Sequence, residues 1–359
     1  MKKKNKKVLY LVSTKSITIN SFFKNFIHYA KNKFEIKVIC SDPKNLILDK
    51  KISKIQLDFP NNILDLINPK KLFNLFYQLS ILKSELKNSI ILLNTPIAAH
   101  FFRLYFFFSK LNLIYFVHGF RFLPSGKYYK NFIFKNIEKC LSIPTNKYIT
   151  INSFDYNFVK KNLKKNCIKI NGVGIKKQEK NNFKFTKDKL KILIISAYKS
   201  EKGYDDVLYT ANFFNDKNLN IKFTCFGYGK YRYYKNIVIK KKLKNITIKK
   251  FDNNLLKKIK NYNLLFHPSF REGLPVSVMQ CLSNGLPVVA RDIRGCNDLI
   301  KNNYNGYLFK NKNDLIKKIL RLYNNKNKLV FLSKNAYKSI DYSYSSNYIA
   351  KKISSYLDE

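Results

Sequence analysis

The chain has 359 residues, 45% of them hydrophobic and 15% aromatic, so it exceeds one ordinary core and carries enough apolar mass to fill two. That composition makes disorder not the default reading. Against 22 acidic residues stand 69 Lys and Arg, a formal charge of +47 that attracts polyanions and acidic lipid surfaces. The basic residues are spread along the whole chain with no reading motif, which sets aside a dedicated nucleic-acid module, and the joint abundance of Lys, Asn and Ile makes compositional bias part of the excess.

After the basic start the apolar run Val8 to Val12 is too short for a signal-peptide core. No run reaches the roughly 18–20 apolar residues of a membrane span, and Phe101 to Phe108 is broken by Arg103. The six cysteines form no C-x-x-C pair and the four histidines no H-x-x-x-H pair, so no metal site is expected and most thiols should be buried. The expectation is a cytosolic, reduced protein, at most peripheral to a membrane.

Val8 to Val12 reads as a buried strand, Ser21 to Lys31 as a helix and Glu35 to Cys40 as a strand. Leu72 to Leu86 has helical spacing. Ile90 to Leu93 is a strand, Ile97 to Lys110 a helix and Leu113 to Val117 a strand; Tyr148 to Asn152, a helix through Asp155 to Lys164, and Cys167 to Ile170 close the first half. From Gly172 to Lys189 periodicity disappears, as in a linker. The alternation restarts with strand Lys191 to Ser196, helix Asp205 to Phe214 and strand Lys222 to Phe226. Strand Ile246 to Lys249, helix Leu255 to Asn261, strand Leu264 to His267, helix Pro275 to Asn284 and strand Pro287 to Arg291 follow. Ser345 to Leu357 is a terminal helix able to cross back to the first half. This is an α/β chain with two doubly wound, Rossmann-like halves.

The richest run is His267 to Ala290, HPSFREGLPVSVMQCLSNGLPVVA. A strand ends at His267, a loop carries Arg271, Glu272 and Gly273, and Pro275 opens a helix where its missing N–H costs nothing. The start of such a helix suits a diphosphate. Spacing alone leaves open an ordinary strand-to-helix turn with a solvent carboxylate. Lys202-Gly203 after the KILIIS strand reads equally as a solvated turn or a phosphate loop, and Gly227 and Gly229 as a tight turn or a ligand loop. His118 ends a strand at the sheet edge where open α/β sheets bind ligands, though a lone histidine there is more often structural.

The His267 to Ala290 run resembles the signature of the family-4 (group 1) retaining glycosyltransferases, in which two glutamates frame seven residues around E-G-L-P. The resemblance implies a GT-B layout, two Rossmann-like domains facing each other across a cleft, with an acceptor domain over 1–175 and a nucleotide-sugar domain over 176–340. It places Glu272 on the donor sugar. The second glutamate position is Gln280, which keeps an acceptor for the ribose hydroxyls but loses the charge. AYKSEKG, Ala197 to Gly203, resembles the family's phosphate loop, with Lys202 on its lysine and Ala197 where the family has arginine; Lys199 or Arg271 is the candidate to supply that charge. The donor set so implied is Lys202, Gly203, Gly227, Gly229, Arg271, Gly273, Leu274, Pro275 and Gln280.

In the first half, Asn94 to Ala99 (NTPIAA), Arg103, HGFRF from His118, Ile137-Glu138-Lys139 and ITIN resemble a subgroup acting in capsule, exopolysaccharide and lipid-linked oligosaccharide assembly; Arg294-Gly295 and Asp298-Leu299 suit it too. By that resemblance His118 and Glu272 are catalytic and Thr95 and Arg121 lie on the acceptor side. The expected reaction is metal-independent, retaining transfer from a UDP-sugar to an undecaprenyl-diphosphate-linked saccharide at an anionic membrane surface, with no cofactor and no nucleic acid. A nucleotide-sugar epimerase of the same layout and a basic nucleic-acid-binding protein are the rival readings. Phe101 to Phe108 is either a greasy membrane face or helix core.

Overall fold

Alternating strands and helices in this chain build parallel sheets, whose strands are covered on both faces and therefore read as unbroken apolar runs. The computed structural model describes residues 6–176 and 189–359, so residues 177–188 of the expected linker lie outside the described residues. The chain divides into two units, Met1–Gly174 with Ser346–Glu359, and Ile175–Ser345.

In the first unit the strands are β1 (Lys7–Val12), β2 (Phe34–Cys40), β3 (Ser53–Gln56), β4 (Ile90–Leu93), β5 (Asn112–Val117), β6 (Thr145–Thr150) and β7 (Asn166–Lys169). They form one parallel sheet in the order β3-β2-β1-β4-β5-β6-β7. The central strands are apolar throughout, with Leu9 to Val12 and Ile90 to Leu93 buried. Around them lie α1 (Ser16–Phe22), α2 (Lys24–Ala30), α3 (Ile63–Leu66), α4 (Pro69–Leu82), α5 (Pro96–Tyr105), α6 (Tyr128–Leu141) and α7 (Ser153–Phe158).

In the second unit β8 (Leu190–Ile195), β9 (Ile221–Gly227), β10 (Ile246–Lys250), β11 (Leu264–His267), β12 (Val288–Arg291) and β13 (Gly306–Phe309) form a parallel sheet ordered β10-β9-β8-β11-β12-β13. Its helices are α8 (Tyr204–Asp216), α9 (Tyr231–Lys240), α10 (Leu255–Lys258), α11 (Val276–Ser283), α12 (Cys296–Leu299), α13 (Lys312–Asn324) and α14 (Lys326–Lys338). The last helix, α15 (Ser346–Asp358), groups with the first unit, where Lys352 Nζ donates to Lys169 O at 2.9 Å and Lys147 Nζ to Tyr356 O at 3.2 Å.

Strand order reverses between β1 and β4 in one sheet and between β8 and β11 in the other. At such switch points the loops beyond the carboxyl ends of the strands part and leave a crevice. The abundant asparagines have a local use: Asn62, Asn68, Asn152, Asn311 and Asn325 each cap a helix by accepting from the backbone N–H three residues on.

Several elements depart from the sequence reading. The helix expected over Ser21 to Lys31 is two helices, α1 and α2, interrupted at Phe23, whose buried ring packs edge-on against Phe26 and Phe116 at 6.1 and 5.1 Å. No Gly or Pro marks that break; packing makes it. Edge strand β3 is mostly exposed and polar, so it has no apolar run to betray it. The sequence reading assigns no element to β13, α6, α9, α13 or α14. Five cysteines are buried, but Cys140 is exposed. Phe101 to Phe108 divides between the two readings: Phe102 and Phe106 are core, while Leu104 and Phe108 are exposed.

Arg103 and Glu138 form a buried pin between α5 and α6. Arg103 Nη1 donates to Glu138 Oε2 at 2.8 Å, Nη2 to Oε1 at 3.3 Å and Nε to Ala99 O at 3.1 Å, and its guanidinium stacks 4.4 Å from the Tyr115 ring centroid. Removing one partner strands a buried charge, so Glu138→Ala is expected to lower stability by roughly 3–5 kcal/mol. Replacing both, as Arg103→Met with Glu138→Leu, should recover most of that loss; chemical denaturation of the three proteins measures it.

Candidate active site

The loops leaving β8 and β11 meet across the switch point of the second sheet. Lys202 ends a 3-10 turn, Ser200–Lys202, just after β8, and Glu272 sits in the loop after β11. Lys202 Nζ lies 2.7 Å from Glu272 Oε1. His267, the buried last residue of β11, places Nε2 3.3 Å from the same oxygen, and buried Arg294 donates Nε to the Glu272 carbonyl at 3.1 Å. Burial alone would raise the Glu272 pKa, but the adjacent His267 ring and the Lys202 ammonium outweigh it and hold the carboxyl at about 2.

Glycines let these loops touch. Gly203 has φ 76°, caps α8, and a Cβ there would collide with the Pro268 carbonyl. A Cβ on Gly295, at φ 80°, would collide with the Gly273 carbonyl, and one on Gly227 with the Ser196 carbonyl. Arg291 reinforces the junction: Nε donates to Pro268 O at 3.1 Å, the guanidinium pairs with Asp206, and Phe270 lies 4.0 Å away. The AYKSEKG loop is pinned by Tyr198, whose hydroxyl donates to Cys225 O and Lys249 O at 3.0 and 2.6 Å and whose backbone N–H donates to Tyr228 O at 2.8 Å, next to Gly229.

Among the remaining donor-side candidates, Leu274 and Pro275 are buried, and Pro275 stands at the N-cap of α11. The first N–H groups of that helix have no partner within it. Arg271 is exposed, its carbonyl accepting from Ser269 Oγ at 3.2 Å. Gln280 is partly exposed one turn before the end of α11; its backbone carbonyl accepts from Ser283 Oγ and Asn284 Nδ2. The structure thus joins Lys202 and Glu272 directly, and Gly203 and Gly273 through their neighbours.

In the first unit, residues beyond β1, β4 and β5 gather at the other switch point. Thr14, following β1, donates its N–H to Thr95 Oγ1 at 2.8 Å, and the two hydroxyls lie 2.6 Å apart. His118, at the end of β5, hydrogen-bonds through Nε2 to Asn94 Oδ1, with the rings of Phe22, Phe23 and Phe116 around it. Burial pushes the His118 pKa down to about 4, so the ring is neutral at pH 7. With the amide so placed, Nε2 carries the proton and Nδ1 is an acceptor. Asn94 is fully buried and its Nδ2 has no hydrogen-bond partner. Arg121 is exposed, 5.8 Å from the Phe134 ring centroid.

Sequence reasoning missed three contributors. His267 and Asn94 were visible only as members of motifs, and Arg291 only as a strand end; nothing in spacing says that the side chain ending β12 reaches the loop after β11.

The two parallel-sheet Rossmann-like units define an α/β protein of the GT-B class. Residues 175–339 match the family model described as glycosyl transferases group 1. Over 163 residues, 44% of this chain and 33% of the relative, the chain is 31% identical to a poly(ribitol-phosphate) alpha-N-acetylglucosaminyltransferase of Staphylococcus aureus. Over 102 residues, 28% of this chain and 27% of the relative, it is 33% identical to an N,N'-diacetylbacillosaminyl-diphospho-undecaprenol alpha-1,3-N-acetylgalactosaminyltransferase of Campylobacter jejuni. The chain therefore spans about a third or less of the length of these two curated relatives. Among solved structures, the HepE protein of Anabaena in complex with UDP and glucose superposes with a TM-score of 0.74 at 14% identity, covering 98% of this chain and 99% of that one; this likeness is one of fold.

Two outcomes are expected. Gly203→Ala adds a left-handed-backbone penalty to a clash with the Pro268 carbonyl, and should cost roughly 1–3 kcal/mol in thermal or chemical unfolding. The Glu272 pKa falls on folding from 4.5 to about 2, so the folded state releases this proton earlier than the unfolded one. Its contribution, roughly 3 kcal/mol, is full above pH 4.5 and is lost as pH falls toward 2. Glu272→Gln should flatten that part of the stability–pH curve, as read from unfolding midpoints between pH 6 and 2.

Proposed function

We propose that this chain is a retaining, metal-independent glycosyltransferase that moves a hexose or N-acetylhexosamine from a UDP-sugar to a lipid-linked saccharide, an undecaprenyl-diphosphate type of acceptor, in surface polysaccharide or glycan assembly. The observation that carries the reading is the Lys202–Glu272 pair lying across the β8/β11 switch point beside the start of α11. An ammonium has several N–H donors. Glu272 takes one and fixes the head group, leaving others to meet a diphosphate together with the free N–H groups of α11.

In the transfer, the bond between the anomeric carbon and the β-phosphate oxygen breaks and a bond to the acceptor hydroxyl oxygen forms on the same face. The acceptor proton passes to the departing phosphate. Negative charge grows on the diphosphate, and preorganised Lys202 and helix N–H groups stabilise it in place of a metal ion. Glu272, ionised at every working pH, is the acceptor for donor-sugar hydroxyls. Gln280 is assigned to the ribose, Gly203, Gly227 and Gly229 to close backbone approach, and Arg271 to the phosphates. On the first unit, neutral His118 is assigned to the sugar, with Thr95 and Arg121 on the acceptor side.

The relatives support the substrate classes. One is named for a diphospho-undecaprenol acceptor and both for alpha-linked N-acetylhexosamine products, and a structure of the same fold was solved with UDP. No described helix is long and apolar enough to cross a membrane; the proposed workplace is the inner face of the plasma membrane, reached peripherally.

Two measurements test the proposal. A UDP-sugar at about a hundredfold its Kd should add about 2.7 kcal/mol of stability, read as a raised melting temperature across a nucleotide-sugar panel. Lys202→Ala and Glu272→Ala should each lower transfer by about 10²–10³-fold. Undiminished transfer in either variant, or no protection by any nucleotide sugar, removes the assignment.

A further inference from the structure

The first unit carries apolar side chains where an isolated fold has no use for them. On α6 only Glu138 and Leu141 are buried. Tyr129, Ile133 and Ile137, at i, i+4 and i+8, form an exposed stripe, joined by Tyr128 and Phe132, which are 85% and 59% exposed. Helix α4, packed on α5 through Phe76 against Phe101 and Tyr105, repeats the pattern: Leu75, Leu79 and Leu82 face the core while Phe73, Tyr77 and Ile81 are exposed. Leu64, Leu66 and Ile67 of the α3 segment, Leu104 of α5 and Phe108, at 98%, add to the exposed apolar surface. Between α5 and α6 a cavity of about 440 Å³ is lined by Leu66, Ile97, Phe101, Leu104, Ile137 and Cys140, with His100 and Arg121 as its polar members.

The charges say what covers this face. From Pro96 to Pro144 the sole carboxylate is Glu138, and Arg103 already holds it in the core. Lys110, Arg121, Lys127, Lys130, Lys135 and Lys139 are all exposed. Along α5 and α6 an apolar face is thus flanked by lysines with no free carboxylate, while beside α3 and α4 Asp65 is paired with Lys71 and Asp58 accepts from Asn74 and Gln78; this is the pattern of interfacial helices on anionic lipid. A protein partner would need acidic groups against every one of these cations. The lysine stems can lie along the apolar stripe while their ammonium groups reach phosphates.

We infer that the α3–α6 face of the first unit docks on an anionic phospholipid bilayer, with α6 lying in the headgroup boundary and the α5/α6 groove receiving one hydrocarbon chain of a membrane lipid. This rests on the reading that the acceptor is lipid-borne, and it names the surface that brings the first unit to it. Arg121 at the groove then meets a lipid phosphate, and the apolar lining takes the first segment of its chain.

The chain has no tryptophan, so a single introduced indole reports its own surroundings. Phe132→Trp, Leu104→Trp and, as a control on α14, Phe331→Trp are mixed as full-length protein with phosphatidylglycerol or phosphatidylcholine vesicles. The expected result is at least about tenfold tighter co-sedimentation with phosphatidylglycerol. The emission of Phe132→Trp and Leu104→Trp should shift to the blue and be quenched by acyl-brominated lipid, while Phe331→Trp stays unchanged. Phe132→Ser with Ile133→Ser should weaken binding by about tenfold or more without lowering the melting temperature. The inference is overturned if the vesicles do not sediment the protein, if they bind it with Phe132→Trp and Leu104→Trp unquenched, or if those indoles are buried without lipid in a concentration-dependent dimer. None of these readouts requires nucleotide sugar, so loss of transfer activity and loss of docking are separate results.

Discussion

The second unit depends on one constraint: a carboxylate, Glu272, taken out of water at the point where the sheet order reverses. Its ionised form is tolerated because Lys202 and His267 meet the same oxygen and Arg294 holds its backbone. Those partners arrive from the ends of β8 and β11 and from the loop after β12, so the loops must approach closely. That is why Gly203 and Gly295 stand where a Cβ would strike a carbonyl. Chemistry and loop architecture are here the same set of contacts.

The same economy of acids recurs through the molecule. With 22 acidic residues against 69 basic ones, three buried or part-buried carboxylates are each matched by a cation. Glu138 is spent on Arg103 and Asp206 on Arg291, as Glu272 is on Lys202. Each pair ties elements together: α5 to α6, α8 to the end of β12, and the β8 loop to the β11 loop. One-to-one pairing inside leaves the excess of cations for the surface, and along α5 and α6 that surface is also greasy. The surplus of cations suits both a diphosphate and an anionic bilayer.

The two units also repeat one plan in different polarity. Across the β8/β11 switch point the bridging contact is ionic; across β1/β4 it is neutral, Thr14 to Thr95, with a neutral His118 on Asn94 close by in the chain order of strand ends. A cationic cradle suits phosphates. A set of neutral donors and acceptors, including the orphaned Asn94 Nδ2, suits hydroxyls.

The sequence by itself determined the α/β class, eleven strands and the loops that carry Lys202, Glu272 and His118, because buried parallel strands are continuous apolar runs and their ends are marked by Gly, Pro and polar residues. It did not determine the break at Phe23, the exposed edge strand β3, or the fate of α6, whose apolar residues look outward. Those follow from which surfaces meet, not from period. Only the tertiary structure showed that Arg103 and Glu138 are a structural pin and that His267, Arg291 and Arg294 surround the loop of Glu272. Pairing across strands distant in sequence is a property of sheet order, and a parallel sheet brings its strand ends together without leaving any trace in local spacing.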